Sequence, residues 1–175
     1  MRRCDGARAN RPMLEARCDL FYGQHERTID AKWRLAVPAE FRDALDEDRH
    51  GKAFYAVSQP EGGLWIWPER TFENYASELG GTLLEDVDLV RYRRQLFANA
   101  HPCGLDSAGR VTLSERLLED HALSRSVLVL GSGDHLEVVD PDQWREEQMA
   151  ARTDPGFVQR ARHALAKQRD RERRG

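Results

Sequence analysis

One segment of the sequence occurs twice. Residues 29–45 read IDAKWRLAVPAEFRDAL, and residues 105–118, which begin 76 positions later, read LDSAGRVTLSERLL. In the alignment Asp30 faces Asp106, Arg34 faces Arg110, and apolar residues face each other at Ile29/Leu105, Leu35/Val111 and Val37/Leu113. Two copies of one supersecondary unit predict a chain of two fused halves. Because a half of about 60 residues buries little surface alone, we expect the halves to share a core.

Each copy begins with the residues of a tight turn. An aspartate at the head of the motif can accept hydrogen bonds from turn amides, and a glycine in the fourth motif position suits a backbone with positive φ. We therefore interpret three residues as structural turn residues: Asp30, Asp106 and Gly109. After the first arginine, the alternation of side chains places Leu35 and Val37 together on one face of a strand.

A short helix and a hairpin are predicted after each of these strands. Pro38 and Ser114 are typical helix-entry residues, because proline fits the first turn and serine is a good N-cap. Each copy is therefore predicted to run loop, strand, short helix, strand, strand. The hairpins are predicted over Phe54–Ser58 with Leu64–Trp67 and over Val127–Gly131 with His135–Val139. Within the first hairpin, Trp65 and Trp67 share one strand face and Ile66 takes the other.

The remaining segments predict helices, a loop and two terminal extensions. Helices are expected from Pro68 to about Leu79, ended by Gly80-Gly81, over Asp86–Ala100 and over Pro141–Ala151. Asp46–Lys52 is interpreted as a loop and Val158–Arg174 as a solvated or frayed tail. The predicted organisation is a disordered arm 1–19, a first unit 20–84, a connecting helix 85–100, a second unit 101–150 and a basic C-terminal tail 151–175.

The charge of the chain is unevenly distributed. The net charge is −3, but residues 20–144 carry −9, residues 1–19 carry +2 and residues 145–175 carry +4. A protein that binds nucleic acid usually shows a basic footprint, so the acidic middle argues against that class. Only local segregation of positive charge would make such binding plausible.

Composition and motifs also bear on compartment and catalysis. No apolar run approaches the roughly 20 residues of a membrane span, and no signal peptide is visible. Three scattered cysteines fit neither a disulfide framework nor a zinc site, which predicts a reducing cytoplasm. The six histidines show no ligand spacing, Asp134-His135 lacks a nucleophile motif, and no glycine-rich phosphate loop is present. We therefore expect no enzyme activity, cofactor, metal or small-molecule ligand.

The sequence resembles the MraZ family of bacterial transcription regulators, whose chains carry two AbrB-like units. The resemblance covers about Leu20 to Glu147 and depends on several segments: Phe21-Tyr22-Gly23, residues 30–38 (DAKWRLAVP), Phe41-Arg42, residues 93–100 (RRQLFANA), residues 105–110 (LDSAGR) and Trp144. It implies a mainly β fold with capping helices, in which swapped hairpins form a double-split β-barrel.

The resemblance also implies a function. Members of this family form ring-shaped oligomers that bind short direct repeats of double-stranded DNA in the promoter of the division and cell-wall gene cluster. A nucleoid-associated repressor that includes its own promoter among its targets is therefore expected. By analogy, the residues expected to contact DNA are Arg34, Lys32, Arg27, Trp33 and, in the second copy, Arg110.

These assignments have structural alternatives. Arg34 and Arg110 can each form an ion pair with the aspartate four residues earlier, and for Arg110 we favour that structural role. Trp33 can stack on a sugar or base, fill a contact between protomers, or pack on its own loop. It stands where the family usually has glycine, and a bulky residue with positive φ costs about 1–2 kcal/mol. We therefore expect this loop to change shape or to store strain.

DNA binding and oligomerisation are coupled in this interpretation. Binding to phosphates needs several cations at once, and one protomer offers few. A ring that repeats Arg27, Lys32 and Arg34 along one face would offer enough. The competing hypothesis is an oligomeric assembly or scaffold protein that does not bind DNA.

Overall fold

The computed structural model describes residues 20–59, 63–79 and 86–173. The predicted N-terminal arm and the helix end at Gly80-Gly81 lie outside these residues. The elements are β1 (Phe21–Thr28), β2 (Arg34–Ala36), α1 (Ala39–Asp43), α2 (Glu47–His50), β3 (Ala53–Ser58), β4 (Leu64–Pro68), α3 (Glu69–Glu78), α4 (Val87–Ala98), β5 (Ala100–Gly104), β6 (Arg110–Thr112), α5 (Glu115–Asp120), β7 (Ser126–Gly133), β8 (Leu136–Val139), α6 (Pro141–Thr153) and α7 (Phe157–Glu172).

The chain divides into two compact units between Asp140 and Pro141. The first unit contains all eight strands of the described residues, and the second contains α6 and α7. In the described ranges, no helix combines the length and the apolar composition that a membrane crossing requires.

The strands form two antiparallel sheets that interleave the two sequence repeats. Six strands are ordered β1-β7-β8-β4-β3-β5, and β2 pairs with β6 in a separate two-stranded ribbon. Strand β1, which precedes the first motif, pairs with β7 of the second repeat, and β5, which precedes the second motif, pairs with β3 of the first. The mainly β fold with capping helices and two repeats is therefore confirmed. Closure of the strands into a double-split barrel stays a prediction.

Equivalent strands of the two repeats pair with each other about local two-fold axes. In the ribbon, Leu35 lies opposite Val111, its counterpart in the repeat. In the six-stranded sheet, β4 pairs with β8 so that Trp65 lies opposite Glu137. These positions are also equivalent, because residues 64–67 (LWIW) align with residues 136–139 (LEVV) of the second repeat. The repeated sequence therefore gives approximate two-fold symmetry at both the β2–β6 and the β4–β8 pairings.

One hydrophobic core is shared by the two halves, as the sequence predicts. Its members come mainly from strands of both repeats and include the alternating residues of the motif strands, Leu35, Val37, Val111 and Leu113. Short helices add Phe41 from α1 and Leu117 from α5. The Pro38 N-cap of α1 offers no side-chain bond, whereas Ser114 accepts a hydrogen bond from Leu117 N at the start of α5.

A second, smaller cluster lies on the other face of β4. Trp67 packs there with Val57, Phe72 and Leu96, while Ile66 belongs to the main core. The prediction that Trp65 and Trp67 share one strand face and Ile66 the other is confirmed.

Two segments of the first unit differ from the sequence predictions. The expected loop Asp46–Lys52 contains α2, because the Asp46 carboxylate caps its first amides and Gly51, with φ of 82°, ends it. The predicted helix Asp86–Ala100 ends at Ala98, and Ala100 belongs to β5.

The C-terminal segment is more ordered in secondary structure than a frayed tail. Residues Phe157–Glu172 form the helix α7, and its apolar residues Phe157, Val158 and Leu165 are exposed. The helix-forming composition of this segment outweighs its thin apolar stripe. The prediction that it is solvated agrees with this exposure.

A buried histidine, His135, lies in the turn between β7 and β8 and packs on the tryptophans of β4. The His135 ring is 4.2 Å from the ring of Trp65 and 4.5 Å from the ring of Trp67, measured between centroids. Its Nδ1 lies 2.8 Å from Asp134 Oδ1, and its Nε2 lies 3.5 Å from Glu137 Oε1. Burial disfavours the charged ring, but the hydrogen bond to Asp134 and the nearby Glu137 carboxylate outweigh burial and raise the pKa of His135.

This arrangement makes stability depend on pH. A raised pKa means that the contribution of His135 is fully present below its unfolded value of 6.5 and is lost as pH rises through the folded value. His135→Gln should remove that part of the pH dependence, measured as the free energy of unfolding in urea between pH 6 and 9. His101→Gln, an exposed site on β5, is the control. Parallel curves for wild type and His135→Gln would contradict the assignment.

Candidate functional site

The first motif folds into a loop that Asp30 holds together. Its Oδ1 accepts hydrogen bonds from the backbone amides of Lys32 at 2.8 Å and Arg34 at 3.0 Å. Its Oδ2 accepts from Arg34 Nε at 2.7 Å and lies 2.7 Å from Arg34 Nη2. The backbone adds a bond from Trp33 N to Asp30 O at 3.0 Å. One carboxylate therefore satisfies the turn amides and fixes the arginine side chain.

The second motif repeats this geometry. Asp106 Oδ1 accepts from the amides of Ala108 at 2.9 Å and Arg110 at 3.0 Å. Its Oδ2 accepts from Arg110 Nε at 2.9 Å and lies 2.8 Å from Nη2. Asp30 and Asp106 thus make equivalent contacts in the two loops. The ion pair that was the structural alternative for the motif arginines is present in both loops.

The fourth residue of each motif has left-handed backbone. Trp33 has φ of 60° and Gly109 has φ of 73°. The carbonyl of each accepts a hydrogen bond from the other repeat, from Leu113 N to Trp33 O at 2.9 Å and from Val37 N to Gly109 O at 3.0 Å. The Trp33 loop thus keeps the hydrogen-bond pattern of the glycine loop, so the expected change of shape does not occur.

The ribbon places the two arginines on the same outward face. Arg34 lies opposite Thr112, and Arg110 lies opposite Ala36, with buried Leu35 and Val111 between them. Because residues directly opposite share a face and diagonal neighbours are about 7–8 Å apart, the two arginines are neighbours on the outer face. We name this surface, formed by residues 30–34, 106–110 and strands β2 and β6, the ribbon site.

The other predicted site residues occupy different surroundings. Lys32 is exposed in the first loop. Arg27 lies on β1 of the larger sheet, partly buried, and its Nη1 donates a hydrogen bond to the Glu26 carbonyl at 2.8 Å. Trp33 is partly buried and packs against the main core. Four of the five predicted residues therefore lie in the ribbon site, and Arg27 lies outside it.

A further arginine, to which the motif pattern assigns no role, reaches the ribbon site from α1. A methyl group on Gly109 would lie 2.8 Å from both Cδ and Cζ of Arg42, so the Arg42 side chain covers this face of the second loop. Local sequence patterns do not reveal this contact, because it joins a helix of one repeat to a loop of the other.

The carboxylates of the ribbon site are strongly biased toward the charged form. The side-chain hydrogen bond from Arg34, assisted by its backbone amide, lowers the pKa of Asp30 from 3.8 to about 2. Arg110 likewise lowers the pKa of Asp106. The stability that these carboxylates contribute is present above about pH 4 and is lost as pH falls through the folded pKa values.

The ion pair can be tested by titrating the carboxyl carbon of Asp30 with NMR. In the wild-type protein its midpoint should lie near 2, and Arg34→Ala should move it toward 3.8, because the main donor to Oδ2 is removed. Asp106 in the same sample is the internal control and should not shift. An Asp30 midpoint that is the same in both proteins would exclude Arg34 as the cause.

Comparison with known proteins adds an independent result. A family model described as "MraZ protein" matches residues 20–86 and 96–166. A protein from Nocardioides sp. is 36% identical over 126 residues, which are 72% of this chain and 84% of that protein. A protein from Burkholderia cenocepacia is 32% identical over 132 residues, 75% and 90% of the two chains. A protein from Heliobacterium modesticaldum is 29% identical over 125 residues, 71% and 84%.

All three relatives carry the name transcriptional regulator MraZ. The family model spans both repeats, including each loop of the ribbon site. The chain therefore belongs to the MraZ family.

Proposed function

We propose that this protein is a DNA-binding transcriptional regulator that acts as a ring-shaped homo-oligomer. Membership of a family named for transcriptional regulation makes it a regulator and not an enzyme. In our proposal it represses the division and cell-wall gene cluster, including its own promoter, by binding short direct repeats of double-stranded DNA at the nucleoid.

The observation that carries the proposal is the pair of arginines on the outer face of the ribbon. Asp30 contacts Nε and Nη2 of Arg34, and Nη1 has no hydrogen-bond partner in the part of the chain that the structure describes. A guanidinium has five N–H donors, so the Nη1 edge remains available for a phosphate oxygen. Asp30 then orients Arg34 without occupying all of its donors.

Oligomerisation supplies the positive charge that one protomer lacks. The two aspartates largely offset the charges of Arg34 and Arg110, which leaves Lys32 as the main cation within the two loops. Weak contacts of one protomer add up when several protomers engage one DNA duplex, because linked sites raise the effective concentration. A ring that repeats the ribbon site would use this effect.

The second candidate function is an oligomeric assembly that does not bind DNA. Two observations favour it: the motif arginines are ion-paired, and residues 20–144 carry a net charge of −9. In this alternative, the basic residues serve contacts between protomers only. DNA binding that weakens with added salt separates the two candidates.

The role of Arg34 is testable with the DNA immediately upstream of the gene for this protein. Arg34→Ala should weaken binding and make the plot of log affinity against log salt less steep by about one unit per engaged protomer. The reason is that binding releases fewer counterions when each protomer makes one phosphate contact less. Fluorescence anisotropy across a salt series measures both quantities. Arg110→Ala should chiefly lower the free energy of unfolding.

Two controls keep the outcome interpretable. Arg94→Ala removes the same charge from the exposed surface of α4, outside the ribbon site, and should leave the slope unchanged. Light scattering after size exclusion checks that each variant keeps the wild-type oligomer. If Arg34→Ala forms this oligomer and binds DNA like wild type, Arg34 is not a contact residue. If the wild-type protein itself does not bind, the assembly function is favoured.

A further inference from the structure

The two loops of the ribbon site differ in the charge that each supplies. The first loop contains Lys32, whereas residues 106–110 contain a single cation, Arg110, held by Asp106 at 2.8 Å. Taken alone, the second loop therefore presents no net positive charge. A loop of this kind would contribute little to counterion release on a nucleic acid.

A cation from the other repeat compensates for this deficit. The Arg42 side chain crosses from α1 onto Gly109, where a methyl group would lie 2.8 Å from its Cδ and Cζ. Arg42 is exposed, and its side chain has no hydrogen-bond or ion-pair partner within residues 20–59, 63–79 and 86–173. The second loop thus lies beside an unpaired guanidinium, which belongs to a residue of the first repeat.

The contact between Arg42 and Gly109 depends on the absence of a Cβ atom at position 109. Its φ of 73° is unfavourable for residues with a side chain, and Arg42 occupies the space that a Cβ would need. At the equivalent places of the other repeat stand Trp33, packed against the core, and Leu118, a buried core residue. The first loop is therefore completed by apolar packing and the second by a charged side chain.

We infer that Arg42 is a phosphate-contacting residue of the ribbon site, binding the DNA backbone beside the second loop. This inference rests on the proposed DNA-binding function and adds a residue to that same surface. A phosphodiester oxygen is the ligand that fits, because the exposed guanidinium is unpaired and a phosphate contact needs only charge and donors.

The test replaces Arg42 by glutamine and by lysine in the full-length chain. Arg42→Gln keeps a polar but shorter side chain and removes the charge, so it should lower affinity several-fold and reduce the salt slope by about 0.9 per engaged protomer. Arg42→Lys keeps the charge and should retain the wild-type slope. Because phosphate contacts carry no sequence information, a scrambled duplex of equal length should show the same loss of slope.

Arg116→Gln is the matched control. Arg116 is exposed on α5, the counterpart of α1, and pairs with Asp120 at 3.6 Å, so the substitution makes the same change in net charge outside the ribbon site. If Arg42→Gln and Arg116→Gln give equal affinities and slopes, the inference is overturned although DNA binding stands. A loss confined to the promoter duplex would indicate base readout and would also overturn it.

Folding is checked by circular dichroism and by light scattering. If neither Arg42 variant folds, Arg42 is a structural residue that supports the second loop, and the inference fails. If the wild-type protein shows no salt-dependent binding to either duplex, the proposed function fails first. The two failures are therefore distinguishable.

Discussion

The antiparallel pairing of β2 with β6 is the constraint on which the rest of the structure depends. Only three residue pairs form the ribbon, and so short a pair of strands is not stable alone in water. Burial supplies the missing stabilisation, because Leu35 and Val111 are 1% and 0% exposed and a buried aliphatic side chain contributes about 1.5–3 kcal/mol. The alternation of strand side chains then leaves Arg34 and Arg110 on the outer face.

The same pairing explains why the aspartate and the arginine of each motif occur together. In so short a loop, the backbone amides need hydrogen-bond acceptors from within the loop. Asp30 accepts hydrogen bonds from the amides of Lys32 and Arg34. Solvent screens this partly exposed ion pair, so its Coulombic contribution to the free energy of folding is limited. Its main effect is geometric, since it fixes the direction of a guanidinium that would otherwise sample many rotamers. Affinity for a polyanion must then come from repetition of the site.

Local patterns in the sequence were sufficient for elements whose residues alternate or are capped. The hairpins, the motif strands and the opposite faces of Trp65 and Ile66 follow from a period of two. Strand β5 could not be predicted in this way, because its sequence AHPCG lacks alternation and includes a proline. Such a strand is tolerated at the edge of a sheet, where β5 lies. The exchange of β1 and β5 between repeats depends on contacts between distant segments, which single-sequence patterns do not contain.

The contact of Arg42 with Gly109 belongs to the same class, and it shows how the repeats have diverged within one backbone. Left-handed backbone at Trp33 costs about 1–2 kcal/mol, but packing a tryptophan against the core offsets a cost of that size. The first loop can therefore keep its shape without glycine. In the second loop, a side chain at position 109 would displace the Arg42 side chain from its position over the loop. The two loops therefore share one backbone conformation but differ in their side chains: Trp33 packs on the core at the first loop, and the Arg42 guanidinium covers the second.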